Sequence, residues 1–436
     1  MSAAVIGLIG VAALFALMLF RTPIAFAMLI VGFFGYAMLR DFNSATALLL
    51  TESYSTVSSY TLIVVPMFIL LGNISSAAGF SRGLYDAANA WVGRFPGGLA
   101  SASVLGCAAF SAVSGSSVAT AVTIGKVAMP EMRRLGYADG LAAGSVAAGG
   151  TLGFLIPPST AFVLYAILTE ESIGRLFMAG VLPGLLMTGL FVATVWLVVL
   201  FNPASGPRGE KMPLRQKLIT LIDSVPLIAI IVISIGGIYI GAFTPVEASG
   251  IGAALVIVLA LLRRRLSWAG FKGAALETLK TSAMLYFIVI SANVLNPFMA
   301  MTGIPQTLGG GLSSMGLGAY ETLFVILLIY VLLGMFMDEL AMIVLTIPIV
   351  FPIIVGLGFD PIWFGVVLVI VVQMGLIAPP VGLNVFVVRS VVPEVPLMTI
   401  YRGVMPFLVA MIVALILIII FPQIALLIPN SMFGTS

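Results

Sequence analysis

Apolar stretches of about twenty residues follow one another from end to end of the chain, each long enough to cross a ~30 Å hydrocarbon core as a helix. They are too long and too uniformly apolar for the alternating strands of a β-barrel. The pattern predicts full spans at 4–20, 23–39, 46–72, 141–165, 176–200, 224–241, 246–262, 277–295, 362–387 and 404–427. Two further apolar regions, 97–130 and 321–357, break in the middle at SAVSGSSVAT (111–120) and GMFMDELAM (334–342). Both read as re-entrant hairpins that enter and leave on one side. Two of the full spans are themselves interrupted by adjacent prolines, Pro157–Pro158 and Pro379–Pro380.

Basic residues orient this arrangement. With the N-terminus outside, sixteen Lys and Arg fall in cytoplasmic connections and only Arg40 and Arg175 outside, with Lys126 inside the first hairpin. That is a strong positive-inside signal, and it collapses if either hairpin is a single crossing. The Arg263–Arg265 run reads as a topology anchor.

Composition agrees: 61% of the residues are apolar and 8% charged, against about 25% charged in soluble domains. The chain is an integral membrane protein without a soluble domain, its longest polar linker being 202–219. The first apolar stretch lacks a basic leader and reads as a mature span, not a cleaved signal. One cysteine, Cys107, excludes an internal disulfide, and the absence of histidine removes the commonest metal ligand and proton relay. No GxxxxGK[ST] or CxxC motif is present, which disfavours an ATPase, a respiratory subunit or a metalloprotease. Neither an organic cofactor nor a nucleic acid is expected.

Shifting the sequence by 222 residues aligns its breaks. Gly153 falls on Gly375, Pro157 and Pro158 on Pro379 and Pro380, Pro130 on Pro352, and Gly136 on Gly358. Ser116 and Ser117 land on Asp338 and Glu339. Each half runs hairpin, Gly-aromatic loop, interrupted span. Five predicted crossings lie between the hairpins, and an odd number makes the second open to the opposite side from the first. The fold expected is an all-α polytopic membrane protein with an inverted repeat, two re-entrant helical hairpins and two discontinuous helices that meet near the midplane.

Proline removes a backbone donor and clashes with the preceding turn, so each Pro-Pro pair frees carbonyls that lipid cannot satisfy. A hard cation such as Na⁺ satisfies them, helped by hydroxyls and without any carboxylate. The first candidate cluster is Ser111, Ser114, Gly115, Ser116, Ser117 and Thr120, facing Thr151, Gly153 and Pro157. The second is Gly334, Met337, Asp338 and Glu339, facing Ala378, Pro379, Gly382 and Asn384. Helix N-termini at the tips also attract an anion, for which Ser116, Thr120, Asn384 and Glu339 are the candidate contacts. Asp338 and Glu339 are costly at membrane depth and are the best ion-sensitive acids, although Glu339 could instead cap its helix. Lys126 could snorkel or meet the substrate anion. The bland alternative is that Pro kinks and small residues only aid helix packing.

SGSSVATAVTIGKVAMPEMRRLGY (114–137), GGTLGFLIPPS (149–159), LTEESIGRLFMAGVLPG (168–184), LGMFMDELAMIVLTIPIVFP (333–352) and GLIAPPVGLNVFVV (375–388) resemble the large membrane (M) subunit of tripartite ATP-independent periplasmic (TRAP) transporters, DctM-like. The resemblance covers nearly the whole chain. It implies a Na⁺-driven, elevator-type secondary transporter in a bacterial inner membrane, with two or more coupling ions and no enzymatic activity. It further implies a small four-helix Q subunit and a periplasmic substrate-binding protein that delivers an organic anion, such as a C4-dicarboxylate, a 2-oxo acid or a sialic or sugar acid. The chain begins directly with the M-like segment, so a separate Q polypeptide is expected. The family's ion sites would lie where Ser114–Ser117 meets Thr151–Pro157 and where Gly334–Glu339 meets Ala378–Gly382. On this reading 1–72 is mostly scaffold and 73–166 the first transport half. Residues 167–276 are central scaffold, 277–296 a connecting span, 297–392 the second transport half and 393–436 a C-terminal span. The alternatives are a stand-alone ion-coupled symporter and a non-transporting scaffold or channel-like subunit.

Overall fold

The computed structural model describes residues 2–304 and 317–433. These form nineteen α-helices. In chain order they are α1 Ala3–Leu19, α2 Ile24–Leu39, α3 Phe42–Val57, α4 Val64–Ala77, α5 Phe80–Val92, α6 Gly98–Ser114, α7 Ser117–Arg134, α8 Asp139–Leu155, α9 Thr160–Thr169 and α10 Ile173–Phe201. There follow α11 Leu214–Tyr239, α12 Pro245–Leu262, α13 Trp268–Thr302, α14 Ala319–Gly334, α15 Glu339–Gly356, α16 Pro361–Ile377, α17 Leu383–Val391, α18 Leu397–Ile420 and α19 Gln423–Phe433. Residues 305–316 of the expected second transport half lie outside the described residues.

Seven helical segments are long and apolar enough to cross a membrane, or eight if the bent pair α3–α4 is one span. Six of the seven fall on the ten spans read from the sequence, and the seventh, α15, lies in the region 321–357 that reads as a re-entrant hairpin. α1 and α2, with 17 and 16 residues, fall short of that length. The region 46–72 is not one rod: α3 and the segment 61–77 meet at 59°, around the polar residues Ser58 and Ser59. The span 362–387 divides into α16 and α17, both short. No span is predicted over α5, which lies in the expected first transport half 73–166. That helix is amphipathic, burying Leu84 and Tyr85 while Arg82 and Trp91 stay exposed, so it holds no long apolar run.

Helix boundaries recur at the offset of 222. α7 and α15 start 222 residues apart and end 222 apart, and so do α8 and α16. Gly136 and Gly358, which close α7 and α15, both have left-handed φ, +79° and +82°. Both Pro-Pro bonds, 157–158 and 379–380, are cis. Among the described residues, five membrane-length segments lie between the two hairpins.

α8 and α16 form the centre, with every residue from Leu141 to Leu155 and from Ile362 to Ile377 buried. Apart from Gln373, α16 is apolar around its circumference, as suits a helix without a solvent face. α8 gets there with small residues: Gly149 lies against Cys107 of α6 and Gly150 against Ala121 of α7. Its Gly144 lies against Gly403 of α18. Backbones without side chains approach closely, which is how helices associate where no hydrophobic drive separates protein from lipid. α10 packs on α6, α8, α9, α16 and α18, while α13 packs on α1 to α4 and α12 on α4 and α11. The two groups touch where α5 and α10 meet α11, where α4 meets α5, α6 and α9, and where α13 meets α15.

Ion pairs gather at the ends predicted to be cytoplasmic. Arg133 of α7 reaches Asp139 at 3.1 Å and Glu394 at 3.2 Å. Arg263 and Arg265 both bind Asp223 of α11. The Arg263–Arg265 run therefore also ties α12 to α11.

Candidate substrate and ion site

The first hairpin turns through Gly115 and Ser116. Gly115 closes α6 at φ +58°, a conformation that costs a side-chain-bearing residue about 1–2 kcal/mol. Ser116 opens α7, its hydroxyl accepting from the Ala119 N–H at 3.3 Å. The Ser114 and Thr120 hydroxyls are 2.8 Å apart, and the Ser114 hydroxyl is 3.4 Å from the Ser116 carbonyl. Three oxygens are thus gathered at the tip, two of them on buried side chains.

The first break lies directly against this tip. Thr160 donates its hydroxyl to the Gly115 carbonyl at 2.9 Å, and its N–H reaches the same oxygen at 3.4 Å. A Cβ on Gly115 would come within 2.7 Å of the Pro158 carbonyl oxygen, and one on Gly153 would collide with the Ser116 carbonyl. Ser159 donates to the Phe154 carbonyl and caps α9, so one side chain satisfies groups on both sides of the break. Thr151 is buried and donates to the Ala148 carbonyl at 2.6 Å. Pro157 and Pro158 are buried. The structure therefore brings Ser114, Gly115, Ser116 and Thr120 together with Gly153 and the Pro157–Pro158 turn, in a cluster of oxygens with no formal charge. Ser111 spends its hydroxyl proton on the Cys107 carbonyl one turn earlier.

The second tip is built differently. Residues 335–338 connect α14 to α15, and Asp338, not Glu339, is the cap, its Oδ1 accepting from Leu340 at 3.0 Å and Ala341 at 3.3 Å. Gly334 packs backbone to backbone on Gly375. Met337 is half-buried and Asp338 exposed, while Ala378 and Gly382 are buried and Pro379 and Pro380 exposed. Gly382 starts α17 at φ +60°. Among the described residues, no hydrogen bond joins 334–339 to 378–382. The first tip is hydrogen-bonded to its break; at the second no such bond is found among the described residues, and Asp338, Pro379 and Pro380 are exposed.

Two residues on this side are not among the candidates the sequence offers. Tyr401 of α18 places its hydroxyl 2.7 Å from the Pro380 carbonyl and 2.6 Å from the Val381 carbonyl. Gln373 of α16 is 2% exposed, and neither its amide nitrogen nor its oxygen has a partner among the described residues. Glu339, itself a sequence candidate, is 4% exposed with Oε2 likewise unpartnered. Buried polar groups are normally hydrogen-bonded, and exceptions call for a ligand, a water or a functional account. Gln373 stands 222 residues after Thr151, so the repeat held the signal that would have found it. At the first break Thr160, also absent from the candidates, sits two positions after Pro158. Nothing local marks Tyr401.

Asn384, two residues after Gly382 of the second cluster, reaches across to the first hairpin. It is fully buried and donates to the Ser117 hydroxyl of the first hairpin at 2.7 Å and to the Ala147 carbonyl at 3.3 Å. Lys126 is exposed, nine residues along α7 from the tip and so about 13 Å away. A separate crevice of about 320 Å³ between α1, α2, α13 and the second hairpin has Thr346 as its one polar lining residue, which leaves an anion nothing to bind.

Two interrupted helices facing two hairpin tips is also the arrangement that the resemblance implies. The sequence profile described as "Tripartite ATP-independent periplasmic transporter, DctM component" matches residues 11–424. The chain belongs to the DctM family of TRAP transporters. Among the family's curated members it is 39% identical to the C4-dicarboxylate TRAP transporter large permease protein DctM of Pseudomonas aeruginosa, over 86% of this chain and 88% of that one. It is 31% identical to the sialic acid TRAP transporter large permease protein SiaM of Vibrio cholerae, over 87% and 88%. Among solved structures, the Alcanivorax borkumensis YdaH transporter, described as having an unusual topology, matches with a TM-score of 0.61 over 90% of each chain at 14% identity. That likeness concerns the fold alone. The chain is thus a DctM-family large permease, a polytopic membrane transporter component and not an enzyme.

Proposed function

We propose that this DctM-family permease imports an organic acid anion across a bacterial inner membrane, driven by co-transported Na⁺. The observation that carries this reading is the buried oxygen cluster of Ser114, Ser116 and Thr120 at a hairpin tip packed on an interrupted helix. A hard monovalent cation takes oxygen ligands and needs no carboxylate among them. The second ion position lies where Gly334, Met337 and Asp338 approach Ala378, Pro379 and Gly382. Na⁺ is cargo on this reading, and Ser114, Gly115, Ser116, Ser117, Thr151, Gly153 and Pro157 surround its first position. The anion sits between the two tips, near Ser116, Thr120 and Glu339, where the N-termini of α7 and α15 supply positive potential.

Transport proceeds by alternating access through an inverted repeat. The group packed around α8 and α16 moves as an elevator against the group packed around α13. The close packing of α6, α7, α10, α16 and α18 around α8, and of α1 to α4 around α13, supports that division. A four-helix Q subunit and a periplasmic binding protein complete the assembly. A C4-dicarboxylate is the leading substrate, since that is what the 39%-identical relative is named for, with sialic or sugar acids and 2-oxo acids as neighbours in chemistry.

The test is uptake into proteoliposomes holding this chain and its Q subunit, with the matching binding protein outside. Uptake should rise with an inward Na⁺ gradient and not with an equal K⁺ gradient. Equal rates in both would end the Na⁺ assignment.

A further inference from the structure

The two breaks are not independent. α17, which begins just after the second break, is bolted to the first hairpin through Asn384: Nδ2 lies 2.7 Å from the Ser117 hydroxyl and 3.3 Å from the Ala147 carbonyl. The Ala147 carbonyl only accepts, so it sets the amide orientation and leaves Oδ1 on the opposite side, buried and without a partner among the described residues. Two residues upstream is Gly382, at the left-handed entry to α17. Directly before that are the Pro380 and Val381 carbonyls, held by Tyr401. Tyr401 belongs to α18, and α18 packs against α8 with Gly403 on Gly140 and Gly144. The segment 380–384 is therefore registered against the first half at both ends.

The reverse connection is missing. The position 222 residues before Asn384 is Phe162, and that before Glu339 is Ser117. Where the first half has Ser117 tied by a buried amide, the second has Glu339 with an unpartnered oxygen, and α15 packs on α9, the helix of Phe162. A hydrogen bond made in one direction only is not a by-product of the repeat.

We propose that Asn384 is a positioning residue that couples the two ion positions: ordering the second break upon cation binding fixes α17, and through Asn384 fixes Ser117 at the first tip. This rests on the Na⁺-coupled reading and deepens it. Two sites biased by one shared element bind cooperatively, with coupling typically worth 5- to 150-fold in affinity. Asn384 acts through Ser117 and the break, not by contact with substrate.

The test is equilibrium binding of radioactive Na⁺ to the purified full-length protein in nanodiscs, choline holding ionic strength constant. The wild type should bind with a Hill coefficient above 1. Asn384→Leu, of similar volume and without the amide, should bring it towards about 1 and weaken half-saturation by about tenfold. Ser117→Ala should do the same, and the double variant should be no worse than either single one, because both remove one bond. Should Asn384→Leu fail to fold, as judged by gel filtration, Ser117→Ala carries the test alone. Wild-type cooperativity retained in the variants, or additive losses in the double variant, would overturn the coupling role while leaving Na⁺ binding intact. A wild type that binds no Na⁺ overturns the transport reading and this inference together.

Discussion

Thr160 donates its hydroxyl to the carbonyl oxygen of Gly115, 2.9 Å away and 45 residues earlier in the chain. That bond fastens the helix leaving the first break to the tip of the first hairpin, and no equivalent joins the second pair among the described residues. It makes the first position the pre-built one.

Thr160→Val keeps the shape and deletes the donor. A net loss of about 1 kcal/mol is expected from one hydrogen bond, more if the Gly115 carbonyl is left bare. The melting temperature in Na⁺-free buffer should fall by a few degrees. Unchanged melting would mean that water replaces the hydroxyl without cost.

Gly375→Ala should be far more damaging than Gly250→Ala. A Cβ on Gly375 would lie 2.5 Å from the Gly334 Cα, a backbone atom that cannot turn aside, whereas Gly250 has nothing within 4 Å. Overpacking costs about 1–3 kcal/mol, while replacing a helical glycine in open space gains roughly 0.5–1 kcal/mol. Comparing the two melting curves, with proteoliposome uptake alongside, checks both signs. Equal effects would show that α14 and α16 separate freely.

Gln373→Leu should divide stability from function. An unpartnered buried amide costs about 1–3 kcal/mol, so an apolar side chain of similar length should raise the melting temperature. If Gln373 serves the transported species, uptake should fall at the same time, the trade-off expected where activity keeps a strained group in place. A variant that is more stable and equally active would reduce Gln373 to packing.

Asp223→Asn removes the partner shared by Arg263 and Arg265. These groups are partly exposed, so the change should cost under about 1 kcal/mol and shrink further in high salt. Thermal unfolding at two salt concentrations reads it directly. A large, salt-independent loss would make the α11–α12 tie structural to a degree its exposure does not suggest.

Much of the fold could be read locally. The breaks at Gly115–Ser116, Pro157–Pro158 and Pro379–Pro380 fall where the residues put them, because proline and glycine act on their own backbone whatever surrounds them. The bend between α3 and α4 could not be read, since hydropathy averaged over a span is blind to direction. α5 was missed because an amphipathic helix gains its stability from the face it buries on α6, which no apolar run announces. The bond from Asn384 to Ser117 could not be read, because nearness in sequence links Asn384 only to Pro379 and Gly382.

By itself the sequence determined that this chain lives in a membrane, where its helices break, and that its halves repeat. Those follow from hydrocarbon thickness and from backbone hydrogen bonding, which act residue by residue along one dimension. Only the tertiary structure decided which break meets which tip, that the first pair is hydrogen-bonded, and that α17 crosses back to Ser117. Those depend on how the small faces of α8 and the apolar faces of α16 let other helices approach, a matter of packing in three dimensions between residues more than 200 positions apart.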